Sequence, residues 1–187
     1  MKKGAGANKG SSFEREICKE LSLWWTDGDR DDIFWRTAGS GGRATNRMKR
    51  GLSTSGAYGD IMAVDASGAD LLRLVCFELK RGYGQWCVLD AVDRRPGSKP
   101  SMVESFWMQA SRSALDANAR YAVVIFRRDQ KQTMIMSSKG LLTELSRHRG
   151  PHRGNKILFI AGGELIFLMP LAEFLEYASP QAMRAIA

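Results

Sequence analysis

The tripeptide Glu78-Leu79-Lys80 ends a largely apolar run that begins at Leu71. Such a run predicts a strand over 71–80. Side chains two apart on a strand share a face, so Leu72, Leu74, Cys76, Glu78 and Lys80 are expected on one side, with Leu79 opposite. Eighteen residues before Glu78 stands Asp60, in Gly59-Asp60-Ile61, at the start of a second predicted strand over 60–64. If the two strands are neighbours, two carboxylates and an ammonium converge on one point. A fold that contains them needs a sheet with a polar end.

The rest of the chain supplies the remainder of such a sheet. Phe13, Ile17, Leu21 and Trp24 recur at helical spacing and predict a helix starting at Ser11 or Ser12 with one buried stripe. Residues 1–10, rich in Gly and Lys, are expected to be loose. Residues 33–37 read as a short strand, and 38–59 as a long loop or hairpin, its 41–58 stretch rich in Gly, Ser, Thr and Arg. Residues 101–118 predict a helix with Val103, Phe106, Trp107, Ala110 and Ala114 inward. Residues 121–126 form an apolar run typical of a buried strand, which pairs with 134–136. A short helix follows over 139–145, then a hairpin, 157–160 and 165–168, around Gly162-Gly163, and a final helix over 171–177. Helix, strands, helix, strands suits an α/β fold: a central mixed β-sheet flanked by helices.

With 187 residues, one domain over 1–187 is expected, and a domain of that size buries roughly 70% of its unfolded surface. No apolar run approaches the ~18 residues of a membrane span, and no apolar stretch follows Met1-Lys2-Lys3 to suggest a secretory signal. Cys18, Cys76 and Cys87 are odd in number and form no CxxC pair, which argues against a disulfide framework and points to reduced thiols, two of them in the core. A cytoplasmic protein is expected. The net charge is +8, which suits a polyanionic partner. No acid lies between Asp32 and Asp60, whereas Arg36, Arg43, Arg47, Lys49 and Arg50 do. These cations, with Arg81 beside the lysine of the tripeptide, are the candidate contacts to DNA phosphates.

Hydrolysis of a phosphodiester requires a barrier reduction on the order of 20 kcal/mol. A divalent cation supplies much of it by polarising the phosphoryl oxygen and acidifying a water. Mg²⁺ takes hard oxygen ligands and keeps several waters. Asp60, Glu78 and the Leu79 carbonyl are candidate ligands, and Mn²⁺ is expected to substitute. Lys80 is a candidate to orient the attacking water or to stabilise phosphorane charge. Glu14 has two readings. In Ser11-Ser12-Phe13-Glu14 it completes a capping box, as the third helical residue; on the row of Cys18 and Leu21 it faces the sheet end that holds Asp60.

Gly10-x-x-x-Glu14-Arg15-Glu16-Ile17, Arg36-Thr37-Ala38-Gly39-Ser40, Gly59-Asp60-Ile61 and Phe77-Glu78-Leu79-Lys80 occur in that order. Over roughly the first 80 residues the chain resembles the archaeal-type Holliday junction resolvases of the PD-(D/E)XK nuclease superfamily. The resemblance implies a restriction-endonuclease-like core. It implies a metal site of Glu14, Asp60, Glu78 and Lys80, with Ser40 and Arg36 in catalysis or phosphate contact. It further implies a homodimer that nicks a four-way junction in pairs. Two departures are the long 41–58 insertion and Gly59 where the family usually has proline. Gln109, on the helix after the tripeptide, matches a polar residue that some relatives hold near the metal. The alternatives are a nuclease of the same superfamily acting on other DNA (restriction-type, fork or general processing) and a DNA-binding protein without activity. The compact size suits a phage-encoded or mobile-element protein.

Overall fold

The computed structural model describes residues 5–37, 59–82, 84, 87, 89–93, 95 and 97–187. Five strands form the main sheet: β3 (Val75–Arg81), β4 (Tyr121–Arg127), β5 (Thr133–Ser138), β6 (Ile157–Ala161) and β7 (Glu164–Pro170). Their spatial order is β3-β4-β5-β7-β6, with β3 and β4 parallel and the other pairs antiparallel. Two short strands, β1 (Phe34–Arg36) and β2 (Ile61–Ala63), pair antiparallel in a sheet of their own. The parallel pair is bridged by α4 (Met102–Ala117), with the four-residue α3 (Leu89–Val92) before it. A parallel pair needs such a crossover, because no tight turn can join its ends.

Period-two alternation divides the core in two. Val75, Phe77, Leu79, Val123, Ile125 and Phe167 face a cluster with Phe13, Ile17 and Leu21 of α1 (Ala5–Trp25). α2 (Ala69–Leu74), α5 (Lys139–Arg149), α6 (Leu171–Tyr177) and α7 (Pro180–Ile186) complete that layer. Cys76, Val124, Phe126, Met136 and Leu168 face the other way, onto Val103, Phe106, Trp107, Ala110 and Ala114 of α4. The expected α/β sandwich, with helices on both faces of a mixed sheet, is the observed fold. Among the described residues no helix is long and apolar enough to cross a membrane.

Several boundaries differ from expectation. α1 begins at Ala5, not at Ser11 or Ser12, so residues 5–10 are helical rather than loose. Adding residues to an existing helix avoids the cost of nucleation, and that outweighs the roughly 1 kcal/mol disfavour of each glycine. Ser11 therefore lies inside the helix, and the capping box expected for Glu14 does not form at its start. The strand expected over 71–80 starts only at Val75. Ala69–Leu74 is helical and buries Leu71 and Leu74, three apart, as Leu- and Ala-rich sequence allows. Trp25 is fully buried where Trp24 was expected to end the stripe, and Trp24 is half-buried. α7 was not expected; it opens with a Ser179 cap and Pro180 at its first position, a standard start signal. The other elements lie close to their expected places. α4 has a complete capping box between Ser101 and Glu104. Gly162 and Gly163 both take positive φ in the β6–β7 turn, as a two-residue hairpin requires.

Candidate active site

Among the described residues β3 is an edge strand of the main sheet, and the edge turned away from β4 carries the site. Successive residues of a strand turn their backbone polar groups to opposite sides. Phe77 and Leu79 turn theirs away from β4, toward Asp60. The Asp60 N–H donates to the Phe77 carbonyl at 2.8 Å, and the Leu79 N–H donates to Asp60 Oδ2 at 2.7 Å. Asp60 is thus held to β3 by both main chain and side chain. The Asp60 carbonyl accepts from the Thr37 N–H at 2.9 Å, which ties β1 to the same point. Asp60 precedes β2 rather than lying within a strand over 60–64, and β2 belongs to the small sheet. These hydrogen bonds still make it a neighbour of the tripeptide.

Gly59 allows the approach. Its φ is +69°, and a Cβ there would lie 2.6 Å from the Phe77 carbonyl oxygen and 2.8 Å from Cys76 Sγ. Proline, fixed near φ −65°, cannot adopt that backbone.

Glu78 and Lys80 point together from β3, on the face of Cys76. Lys80 Nζ lies 2.7 Å from Glu78 Oε1 and donates to Gln109 Oε1 at 3.0 Å. Gln109 Nε2 in turn donates to Glu78 Oε1. The ammonium also sits 5.7 Å from the centroid of the Phe106 ring. α4 therefore contributes a polar and an aromatic contact that fix the lysine. Glu78 is 4% exposed and Asp60 8%, so both carboxylates are taken from water at a place where they repel each other. Asp60 responds: its carboxyl is pushed up to about 7, first by burial and then by the charge of Glu78, while the Leu79 N–H and Lys80 resist and Glu14 adds to the rise. The neighbouring thiols of Cys18 and Cys76 are both pushed up to about 12, chiefly by burial, with the Glu14 charge next at Cys18 and that of Glu78 at Cys76. Neither is a nucleophile at neutral pH.

Glu14 comes to this end of the sheet on α1. Arg36 Nε lies 3.3 Å from its Oε2, but that buried oxygen accepts no hydrogen bond among the described residues. Arg81 pairs with Asp129 at 2.9 Å and also donates to the Arg127 carbonyl. Of the cations read from sequence as DNA contacts, the two that lie among the described residues, Arg36 and Arg81, are thus engaged within the protein. Asp129 and Phe106 were not expected at the site. Nothing local in the sequence marks Asp129, since its partner lies on another strand. Ser40, Arg43, Arg47, Lys49, Arg50 and the 41–58 loop lie outside the described residues.

Among the described residues no three His, Cys, Asp or Glu side chains form a ready-made metal cage. The donors present are two mutually repelling carboxylates, the outward Leu79 carbonyl and, nearby, the unsatisfied Glu14 oxygen. That set fits Mg²⁺, which binds through one or two carboxylates and retains water and substrate oxygens.

An acid docked on the edge of a mixed sheet, against a strand bearing Glu-x-Lys and beneath a helix glutamine, defines a PD-(D/E)XK nuclease with a restriction-endonuclease-like core. Residues 5–177 match the family described as phage putative PDDEXK endonuclease, and the chain belongs to that family. The match takes in the second half of the chain as well as the segments that carry the motifs. No curated protein and no solved structure matches.

Proposed function

We propose that this protein is a Mg²⁺-dependent endonuclease that cuts branched DNA, the four-way junction foremost, and that it works as a homodimer within one 187-residue nuclease domain. The observation that carries the nuclease reading is the docking of Asp60 onto the β3 main chain at Leu79 beside the mutually bonded Glu78, Lys80 and Gln109. The preference for branched DNA rests on the order and flanks of the four motifs in the first 80 residues.

In this reading Asp60, Glu78 and the Leu79 carbonyl hold the cation, with Glu14 beside them. When bound, the cation supplies Lewis acidity and a water of lowered pKa. Lys80, held by Glu78 and Gln109, directs its ammonium to the attacking water or to the charge that grows on the phosphoryl oxygens. Arg36 balances Glu14. Ser40 and the cations Arg43, Arg47, Lys49 and Arg50 are assigned to the backbone phosphates. Arg81 acts at one remove, through Asp129.

The test is a cleavage gel comparing a four-way junction, a fork, a matched duplex and a single strand, with and without Mg²⁺ or Mn²⁺. The junction is expected to be cut first, and only with metal. Asp60→Asn and Glu78→Gln should each lower the rate by roughly 10²–10⁴-fold, the scale of a lost catalytic group, while junction binding remains. Retained cleavage in either variant removes the site assignment. Faster cutting of a matched duplex replaces the branched substrate with a restriction-type or processing one.

A further inference from the structure

We propose that a cavity beside the catalytic face receives one unpaired nucleotide of the DNA strand being cut. The proposal rests on the nuclease reading above and names the substrate feature recognised.

A cavity of about 280 Å³ opens where β4 turns into β5. Arg128, Lys131 and Gln132 of that turn line its rim; Met134, Leu168 and Ile157, from β5, β7 and β6, line its floor. Register places it relative to the chemistry. Lys80 is level with Phe126, and Phe126 with Met134. Glu78 is level with Val124, then Met136, Leu168 and Ile157. The floor thus continues the two rows that carry the catalytic acid and lysine. It also lies on the same side of the sheet, since Met134 and Leu168 pack with Cys76 and Phe126. With strands about 4.8 Å apart, it begins about 10 Å from β3, at β5, and extends to about 19 Å, at β6.

The rim is fastened to the catalytic strand. Arg81 pairs with Asp129 of the turn, and the Gly82 N–H donates to the Arg127 carbonyl at 3.1 Å. A strand whose phosphate lies at Lys80 therefore meets this cavity within a few nucleotides, roughly three to six steps at 3.4 Å each along a duplex axis.

The chemistry selects the occupant. An apolar floor takes the face of a base, and a rim with two cations and an amide takes its phosphate and base edge. A matched duplex keeps its bases stacked and paired and cannot fill a recess in a sheet face. A base displaced at a branch or on an unpaired arm can. The cavity thus supplies a physical reason for preferring branched DNA that needs no base-specific contact.

Cys87 lines the same cavity and is exposed, whereas Cys18 and Cys76 are buried. It is a built-in probe. In the test, wild-type protein in chelator is mixed with forked oligonucleotides that carry a thiol-tethered base, as a mixed disulfide, at successive positions. Coupling to Cys87 is read on a non-reducing gel. The expected result is coupling confined to one or two adjacent unpaired positions near the branch, about tenfold above the matched duplex. In parallel, Lys131→Ala combined with Ile157→Glu, both at exposed positions, should weaken fork binding about tenfold, or 1.4 kcal/mol, and duplex binding less than about twofold. Coupling spread evenly over positions, coupling equal on the duplex, no coupling, or equal weakening of both DNAs overturns the pocket. A protein that cuts DNA with Mg²⁺ yet gives one of those results loses only the pocket. A protein that cuts no DNA loses the nuclease reading itself.

Discussion

Asp60 is held by its own carboxylate and by the absence of a side chain before it. Gly59→Ala places a Cβ against the Phe77 carbonyl at 2.6 Å in a backbone region that costs a non-glycine residue roughly 1–2 kcal/mol. The loop must move, and a displacement near 1 Å at a reacting group is worth about 10² in rate. Gly59→Ala is therefore expected to lose about 100-fold in cleavage and about 1–3 kcal/mol of stability. Normal kinetics in this variant would show that the close approach is dispensable. The Asp60 carboxyl has a second consequence. Its proton is held more tightly in the folded chain, at about 7, than at the ordinary 3.8. The stability this confers is complete below about 3.8 and is lost as pH rises through about 7. In chelator, wild-type protein should lose melting temperature relative to Asp60→Asn between those pH values, with a constant gap above. Parallel curves from pH 4 to 8 would mean that Asp60 feels neither its burial nor the Glu78 charge.

At the scale of elements, α4 brings Gln109 and Phe106 to the site from the helical layer on one face of the sheet. Gln109 spans Glu78 and Lys80 and holds the lysine against the glutamate. Gln109→Ala should lower the turnover rate by roughly 10–100-fold, the usual cost of losing an orienting partner. Folding should be intact, since the position is exposed and alanine favours a helix. A rate within twofold of wild type would make that glutamine ordinary surface. Elements also show what the sequence could convey. Glu78 and Lys80 were legible because alternation on a strand is strictly local, and α4 because its apolar stripe keeps helical spacing over its whole length. The Leu71–Leu74 segment was not, because a short apolar run suits strand and helix equally. The start of α1 was hidden by serines and a glycine that imitate a cap. Arg36 and Arg81 read as free cations because their partners, Glu14 and Asp129, stand on distant segments that only the tertiary fold brings near.

For the whole molecule, the excess of basic over acidic residues, 28 against 20, sets how binding responds to salt. Replacing Arg43, Arg47, Lys49 and Arg50 together with alanine should flatten the slope of log affinity against log salt by roughly 0.9 for each phosphate no longer neutralised. An unchanged slope would remove that loop from the DNA interface. The route of the chain through the site bears on how an active molecule arises. Glu14, Asp60, Glu78, Lys80 and Gln109 come from α1, the approach to β2, β3 and α4, and the strand that carries two of them is parallel to β4, its partner in the main sheet among the described residues. Parallel pairing closes long loops before any contact rewards them, and topologies rich in such contacts fold slowly. No fragment that stops short of α4 holds the complete constellation. Cleavage competence consequently requires the chain at least as far as α4 to be folded. A growing polypeptide that has not yet reached α4, however basic, lacks part of the machinery for breaking DNA.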